Sequence, residues 1–295
     1  MGSQAEFGID RYRGGMDRLE TRELAHFLAL AEELHFGRAA RRLGISQPAL
    51  SRTVARLERR VGAPLLLRGG REQALTGAGR VLAREAAAVL AAADAALHRT
   101  RRAGQHEPRL VLAVKPGGDG GLLPALLAAH RAGPDPVRVD VLLCDPAERV
   151  RLLHDGTADL ALLHHPPHDL TGLDTELLLT ENQLAVLPRT HPLADRPRLR
   201  PADLAGEPTV RWQGTSGPDR AGPEVRDLTQ LQQLVALGQA VAVLPESVRG
   251  QLRADLCGIP LLGAAPTALL LAWPEHSTSP VTAAFVRTAA ALVAA

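Results

Sequence analysis

The chain has 295 residues, 45% of them apolar, a formal net charge of +2 and only 2 cysteines. Such a length allows two or three domains with cores of their own, two cysteines are too few for a disulfide scaffold, and no apolar run reaches the roughly 18 residues that would span a bilayer. The small net charge hides an uneven distribution: residues 1–104 hold 18 Arg against 11 acids, and residues 105–295 hold 15 Arg and one Lys against 21 acids, formally +7 and −5. The basic front third is where a polyanion would bind, whereas the general replacement of Lys by Arg is read as the codon bias of a GC-rich genome.

The opening MGSQAEFGIDRYRGG has no apolar centre of the kind a secretory signal carries. Residues 1–15 are expected to be a flexible extension or a leftover of cloning, with Met16 as an alternative start, and the protein is expected to be cytoplasmic. Residues 16–75 then read as a DNA-binding unit. Thr21 is placed to cap a first helix striped by Leu24, Phe27, Leu28 and Ala31. Gly37–Leu43 reads as a short second helix, ended by Gly44 in a positive-φ turn. Ser46 is the expected cap of a third helix, with Pro48 in its first turn and Leu50, Val54, Leu57 and Val61 on its buried face.

That pattern leaves Gln47, Ser51, Arg52 and the neighbouring Pro48 on the exposed N-terminal half of the third helix. A helix so decorated fits a major groove, where Gln pairs with adenine and Arg with guanine. Arg38, Arg41, Arg42, Arg56, Arg59 and Arg60 suit phosphate contacts or surface salt bridges. After Gly62, APLLLRGGREQALT reads as two short strands about a tight Gly-Gly reversal. Arg68 and Arg71 at its tip are expected to touch DNA as a wing. Thr76 is expected to cap a helix running through residue 102, within a linker segment 76–104. Its Leu82, Ala86, Val89, Ala93 and Leu97 recur at near-heptad spacing and predict a dimer face.

The stretch FLALAEELHFGRAARRLGISQPALSRTVARLERRVGAPLLLR, followed by LTGAGRVL and the long helix, resembles the LysR-type bacterial transcriptional regulators. The SQPALSR segment in this context is the most specific part, and the resemblance runs from Met16 to Ala295. It implies an α/β chain with an N-terminal winged helix-turn-helix, a linker helix and a two-lobed regulatory domain like the periplasmic binding proteins. It also implies homodimers or homotetramers on double-stranded promoter DNA, contact with RNA polymerase and control by a small-molecule effector. By the motif, Gln47, Pro48, Ser51 and Arg52 carry base reading, with Arg42 and Arg56 on the nearby backbone.

Residues 109–295 alternate strand and helix patterns: RLVLAVK, LLPALLAAHRA, VRVDVLL, CDPAERVRLLHDG and ADLALLH predict a parallel sheet with covering helices. NQLAVLPRTHPL reads as a strand crossing into a second lobe. PTVRWQ, QLQQLVALG, QAVAVLP and ALLLAWP continue the pattern, and an amphipathic helix closes the chain. By resemblance, the crossovers fall near His165–Leu170 and Pro260–Thr267. An effector would lie between the lobes, which nominates Lys115, Gly117, Gly118 and Asp119 after the first strand, with His164, Trp212, Gln213, Thr215 and Ser216. The family's usual hydroxyl residue is absent from the GGDGG bend. The Gly- and Pro-rich run after Trp212 is too short for the helix expected there, so a reduced second lobe is predicted.

No cofactor and no metal is expected. His164-His165-Pro166-Pro167-His168 lacks ligand spacing, and Cys144 and Cys257 read as inert thiols. There is no GxSxG, P-loop, HExxH or dinucleotide fingerprint to support a metabolic enzyme. A solute-binding protein fits the rear but not the basic reader in front. A DNA-binding regulator whose rear part serves mainly oligomerisation stays open beside the effector-controlled one.

Overall fold

In a computed structural model, which describes residues 19–67, 73–104, 107–166, 168–213 and 222–294, the chain divides into a unit ending at Asp94 and a unit beginning at Ala95. The front unit holds α1 (Thr21–Glu33), α2 (Phe36–Leu43), α3 (Gln47–Val61) and most of α4 (Gly77–Ala103). Glu20 takes the N-cap position of α1 without a side-chain bond, so Thr21 is its first helical residue and not its cap. The second helix starts at Phe36, one residue earlier than expected. The reason is His35, whose Nδ1 accepts the Arg38 amide at 3.2 Å.

Gly44, at φ 66°, stops α2 in the left-handed region, and Ser46 Oγ accepts the Ala49 amide at 3.4 Å to start α3. Leu50, Val54 and Leu57 are buried as their spacing predicts, with Thr53 beside them. Val61 departs from that row: it is 40% exposed, on the last turn, where Gly62 at φ 73° turns the chain away. A buried carboxylate then ties α1 to α3. Glu23 is 3% exposed and accepts from Arg56 Nε and Arg60 Nη1, each at 2.5 Å.

Leu66 and Leu75 form an antiparallel bridge, extended by Leu67 N donating to Ala74 O at 2.9 Å. These are the feet of the predicted hairpin; Arg68 and Arg71 lie outside the described residues. Thr76 Oγ1 accepts the Gly79 amide at 2.9 Å and so caps α4. Leu82 and Ala86 then pack with Leu24, Phe27, Leu57 and Leu65 in the core of the front unit.

The rear unit begins with β1 (Arg109–Val114), α5 (Leu123–Arg131), β2 (Arg138–Leu143), α6 (Arg149–His154), β3 (Leu160–His165) and β4 (Leu173–Glu181). It continues with β5 (Gln183–Pro188), β6 (Arg211–Trp212), β7 (Glu224–Val225), α7 (Leu228–Ala236) and β8 (Ala242–Pro245). Last come β9 (Leu256–Pro260), β10 (Thr267–Pro274) and α8 (Pro280–Ala294). The first lobe is one sheet in the order β2-β1-β3-β10-β4. β1 runs parallel to β2 and β3, but β10 is antiparallel to β3 and β4, so the sheet is mixed and not wholly parallel.

Side chains alternate across that sheet with the two-residue period of a strand. Leu110, Leu112, Leu160, Leu162, Leu269 and Leu271 share a core with Phe285 and Ala289 of α8. Ala113, Ala161, Leu163 and Ala272 face Leu152 and Leu153 of α6 on the other side. The second lobe has the order β8-β5-β9, covered by Leu231 and Val235 of α7. Its β6-β7 pair leans on β8 through a Thr209–Val241 bridge.

The first crossing is not at His165–Leu170. The chain instead returns as β4 along β10 and passes to the second lobe at Asn182, between Glu181 and Gln183. The return crossing between Pro260 and Thr267 lies where it was expected. The helix interval in question, Gly214–Glu224, falls largely on residues 214–221, outside the described residues. Among the described residues no helix is long and apolar enough to cross a membrane.

Candidate DNA-reading face and interlobe cavity

Capping and burial together orient α3. With Leu50, Val54 and Leu57 fixed inward, Gln47, Pro48, Ser51 and Arg52 are all exposed on its first turns. The surrounding arginines are differently engaged. Arg38 pairs with Glu33 at 3.1 Å, Arg42 with Glu32 at 2.6 Å, and Arg56 with the buried Glu23. Arg52 forms no ion pair among the described residues.

The stripe predicted on α4 divides into two environments. Leu82 and Ala86 belong to the core of their own unit and are unavailable to a partner. Val89 and Leu97 are each 47% exposed, and Ala93 is exposed between them. Helical rotation does not separate them, since at about 100° per residue all four positions share one face. Leu82 and Ala86 are covered because α1, α3 and Leu65 pack only along that part of α4.

In the rear unit, Lys115, His164 and Trp212 line a cavity of about 170 Å³ between the lobes. Lys115 Nζ lies 4.0 Å from the centre of the Trp212 ring, within reach of its negative face. Burial, reinforced by the charge of Arg149, pulls the Lys115 ammonium down to about 8. Gly117, Gly118 and Asp119 do not line the cavity. Gly117 sits at φ 68°, where a Cβ would fall 2.3 Å from Gln251 Oε1. Asp119 Oδ2 accepts the Leu123 amide at 3.3 Å, the first amide of α5, and does not pair with Lys115. Gln213 holds Arg226 at 2.9 Å, while Thr215 and Ser216 lie outside the described residues.

Two titratable side chains that also line the cavity were not among the pocket candidates: Arg149 and His168. Arg149 is 2% exposed and donates to Pro146 O, Leu162 O and His168 Nε2. Because His168 Nε2 accepts that bond, the ring is neutral with its proton on Nδ1. Burial first, and then the Arg149 charge, lowers His168 to about 4. Beside it, His164 Nε2 stands 3.7 Å from Glu181 Oε2, and neither atom has a hydrogen-bond partner. Glu181 Oε1 accepts the Ser247 amide at 2.8 Å, linking the lobes next to the cavity.

The His168 shift carries a sign. The unfolded chain takes up this proton below its ordinary 6.5, whereas the folded chain resists it down to about 4. The contribution of His168 to stability is therefore complete above pH 6.5 and lost as pH falls from 6.5 toward 4; the lowered His164 acts in the same direction. Urea midpoints should drop between pH 7 and pH 5, and His168→Gln should flatten that drop. An unchanged slope would remove His168 as its source.

Among the described residues, no three His, Cys, Asp or Glu side chains converge on a metal position. Cys144 and Cys257 sit in different lobes, each half-buried with its thiol raised above the ordinary value by burial, a setting that disfavours the reactive thiolate.

Two family models match the chain: "Bacterial regulatory helix-turn-helix protein, lysR family" over residues 21–80, and "LysR substrate binding domain" over residues 103–294. The Hca operon transcriptional activator HcaR of Escherichia coli K12 is 29% identical, over 91% of this chain and 96% of its own. The uncharacterized HTH-type transcriptional regulator YnfL of the same organism is 32% identical, over 88% and 93%. Among solved structures, full-length CbnR with its target DNA has a TM-score of 0.56 at 25% identity, covering 92% of this chain and 99% of that one. CbnR alone, a LysR family transcriptional regulator, has a TM-score of 0.59 at 23% identity, covering 93% of this chain and 99% of that one.

Proposed function

Because the chain belongs to the LysR family of bacterial transcriptional regulators, we propose that this DNA-binding regulator reads promoter DNA with α3, through Gln47, Pro48, Ser51 and Arg52. The observation that carries this is their joint exposure on the first turns of a helix whose opposite row is buried. The likeness to CbnR, solved with its target DNA, supports the same docking. Arg38, Arg42 and Arg56 serve the flanking phosphates, with Arg68 and Arg71 as the wing. The ion pairs of Arg38 and Arg42 do not oppose this, since exposed pairs contribute only about 0–1 kcal/mol and exchange readily for phosphate. Arg56 can turn to phosphate because Arg60 also pairs with the buried Glu23. The protein works in the cytoplasm, where promoter DNA and RNA polymerase are its partners.

Assembly follows from α4. Val89, Ala93 and Leu97 form the contact between two copies, and contacts between rear units would extend a homodimer to a homotetramer. Val89→Glu together with Leu97→Glu is expected to reduce the mass in solution to that of one chain. An unchanged mass would exclude this helix as the interface. The cavity between the lobes takes a small effector that shifts how the rear unit is held, and so how the DNA is engaged.

The deciding experiment is titration of the full chain against its own upstream DNA and against an unrelated duplex across a salt series. A preference for the upstream duplex that survives near ~0.15 M salt is the expected result. Equal and steeply salt-sensitive binding to both would reduce the protein to a generic DNA binder.

A further inference from the structure

A buried cation, Arg149, and a half-buried one, Lys115, face one cavity, and among the described residues no carboxylate answers either of them. A guanidinium carries five N–H donors, and Arg149 directs three of its N–H groups at Pro146 O, Leu162 O and His168 Nε2. Lys115 has the Trp212 ring as its partner, and among the described residues neither cation forms an ion pair. The neighbouring His168 is a neutral acceptor and supplies no negative charge. A charge withdrawn from water without a counter-charge is costly. A bound anion would recover that cost at both groups together.

We propose that the interlobe cavity takes a small organic carboxylate, its oxygens between the Arg149 guanidinium and the Lys115 ammonium and its carbon body against Trp212 and the Val243–Pro245 wall. The proposal rests on the reading of this cavity as the effector site and names the class of effector. The planar fork of Arg149 matches two carboxylate oxygens, and Lys115 adds a point charge. With its value near 8, Lys115 still carries that charge at neutral pH. The volume of about 170 Å³ lies below the roughly 300–1,000 Å³ of sites for larger ligands, which restricts the occupant to a compact acid. The wall explains why the anion is organic: Trp212, Val243, Leu244 and Pro245 offer carbon surface that a bare phosphate would leave wet.

The two cations come from the first lobe and the apolar wall from the second. One molecule therefore grips one lobe by charge and the other by burial, and holds the two together. That is a differential contact of the kind needed to shift a two-state arrangement.

The test uses the full chain carrying Trp273→Phe, so that Trp212 is its only tryptophan. Melting temperature and Trp212 emission are followed against hexanoate, cyclohexanecarboxylate, inorganic phosphate, hexanamide and hexylamine at millimolar concentration. Both carboxylates are expected to raise the melting temperature and change the emission saturably, with hexanamide at least about tenfold weaker. Lys115→Met removes a half-buried charge, is expected to keep the melting temperature of the unliganded protein, and should abolish the carboxylate response; Arg149→Met should do the same. Hexanamide binding as well as hexanoate, or a response that survives in both variants, overturns the anionic class and leaves the effector cavity standing. A response to phosphate alone overturns the organic occupant. Silence toward every compound, charged or neutral, overturns the class and the effector reading together.

Discussion

Arg52→Ala is expected to weaken binding to the upstream DNA by about 10- to 100-fold, the size of losing one bidentate base contact of roughly 1–3 kcal/mol. Binding to an unrelated duplex should fall far less. The reasoning is geometric and electrostatic. Arg52 is exposed on the leading part of α3 and has no ion pair among the described residues, so its guanidinium is free to meet a guanine edge without first leaving a carboxylate. Arg42 and Arg56 are in the opposite position, each already paired, and their replacement should lower affinity for both duplexes together with the salt slope. Fluorescence anisotropy with the two duplexes separates the cases. An equal loss on both for Arg52→Ala would assign that residue to the phosphate backbone.

Gly79→Ala is expected to be the most damaging single-methyl change in the front unit, costing about 3 kcal/mol or more, at the upper end of overpacking. Gly79 lies on the first turn of α4, and a Cβ there would fall 2.1 Å from the carbonyl oxygen of Leu65. That oxygen is backbone and already accepts the Thr76 amide at 3.0 Å, while the Leu65 side chain is fully buried. Relief would require separating the start of α4 from the feet of the hairpin. Gly77→Ala, two residues earlier, meets nothing within 4 Å and gains about 0.5–1 kcal/mol from the better helix former. Urea unfolding of the two variants, with DNA binding alongside, should therefore move in opposite directions. A Gly79→Ala protein as stable as the parent would mean that α4 can slide on Leu65.

The front unit was the more legible half of the sequence, because its signals are local. Gly44, Ser46 and Pro48 specify a turn and a cap within a few residues, and the Leu50-Val54-Leu57 spacing then orients the exposed face. Local signals also misled at their edges: Val61 continues the spacing but lies where Gly62 ends the helix. Leu82 and Ala86 obey a dimer-like repeat, yet are claimed by Phe27 and Leu65, contacts set by tertiary packing that spacing alone does not encode. In the rear unit β4 was missed. LDTELLLTE carries charge on one face, as an edge strand does, but its partner β10 lies almost a hundred residues later.

The cleft was legible in part for the same reason. Lys115, His164 and Trp212 follow strands that end at the interlobe boundary, so topology places them there. Arg149 gave no such signal. It stands in an Arg-rich helix beside the exposed Arg151, and only the reach from α6 to the Leu162 carbonyl separates a buried cation from a surface one.

The strand order β2-β1-β3-β10-β4 has a consequence for the order of synthesis. β10 is the next-to-last element of the chain, yet it sits inside the first-lobe sheet, bonded on both edges. Everything from Gln183 to Pro260 is an insertion between β4 and that strand. As the chain leaves the ribosome, the helix-turn-helix can close early and the second lobe can follow. The lobe that carries Lys115 and Arg149 has to wait, with β3 and β4 unpaired along their facing edges, until Thr267–Pro274 emerges. A regulator interrupted shortly before that point would retain its DNA reader and lack a finished sensor.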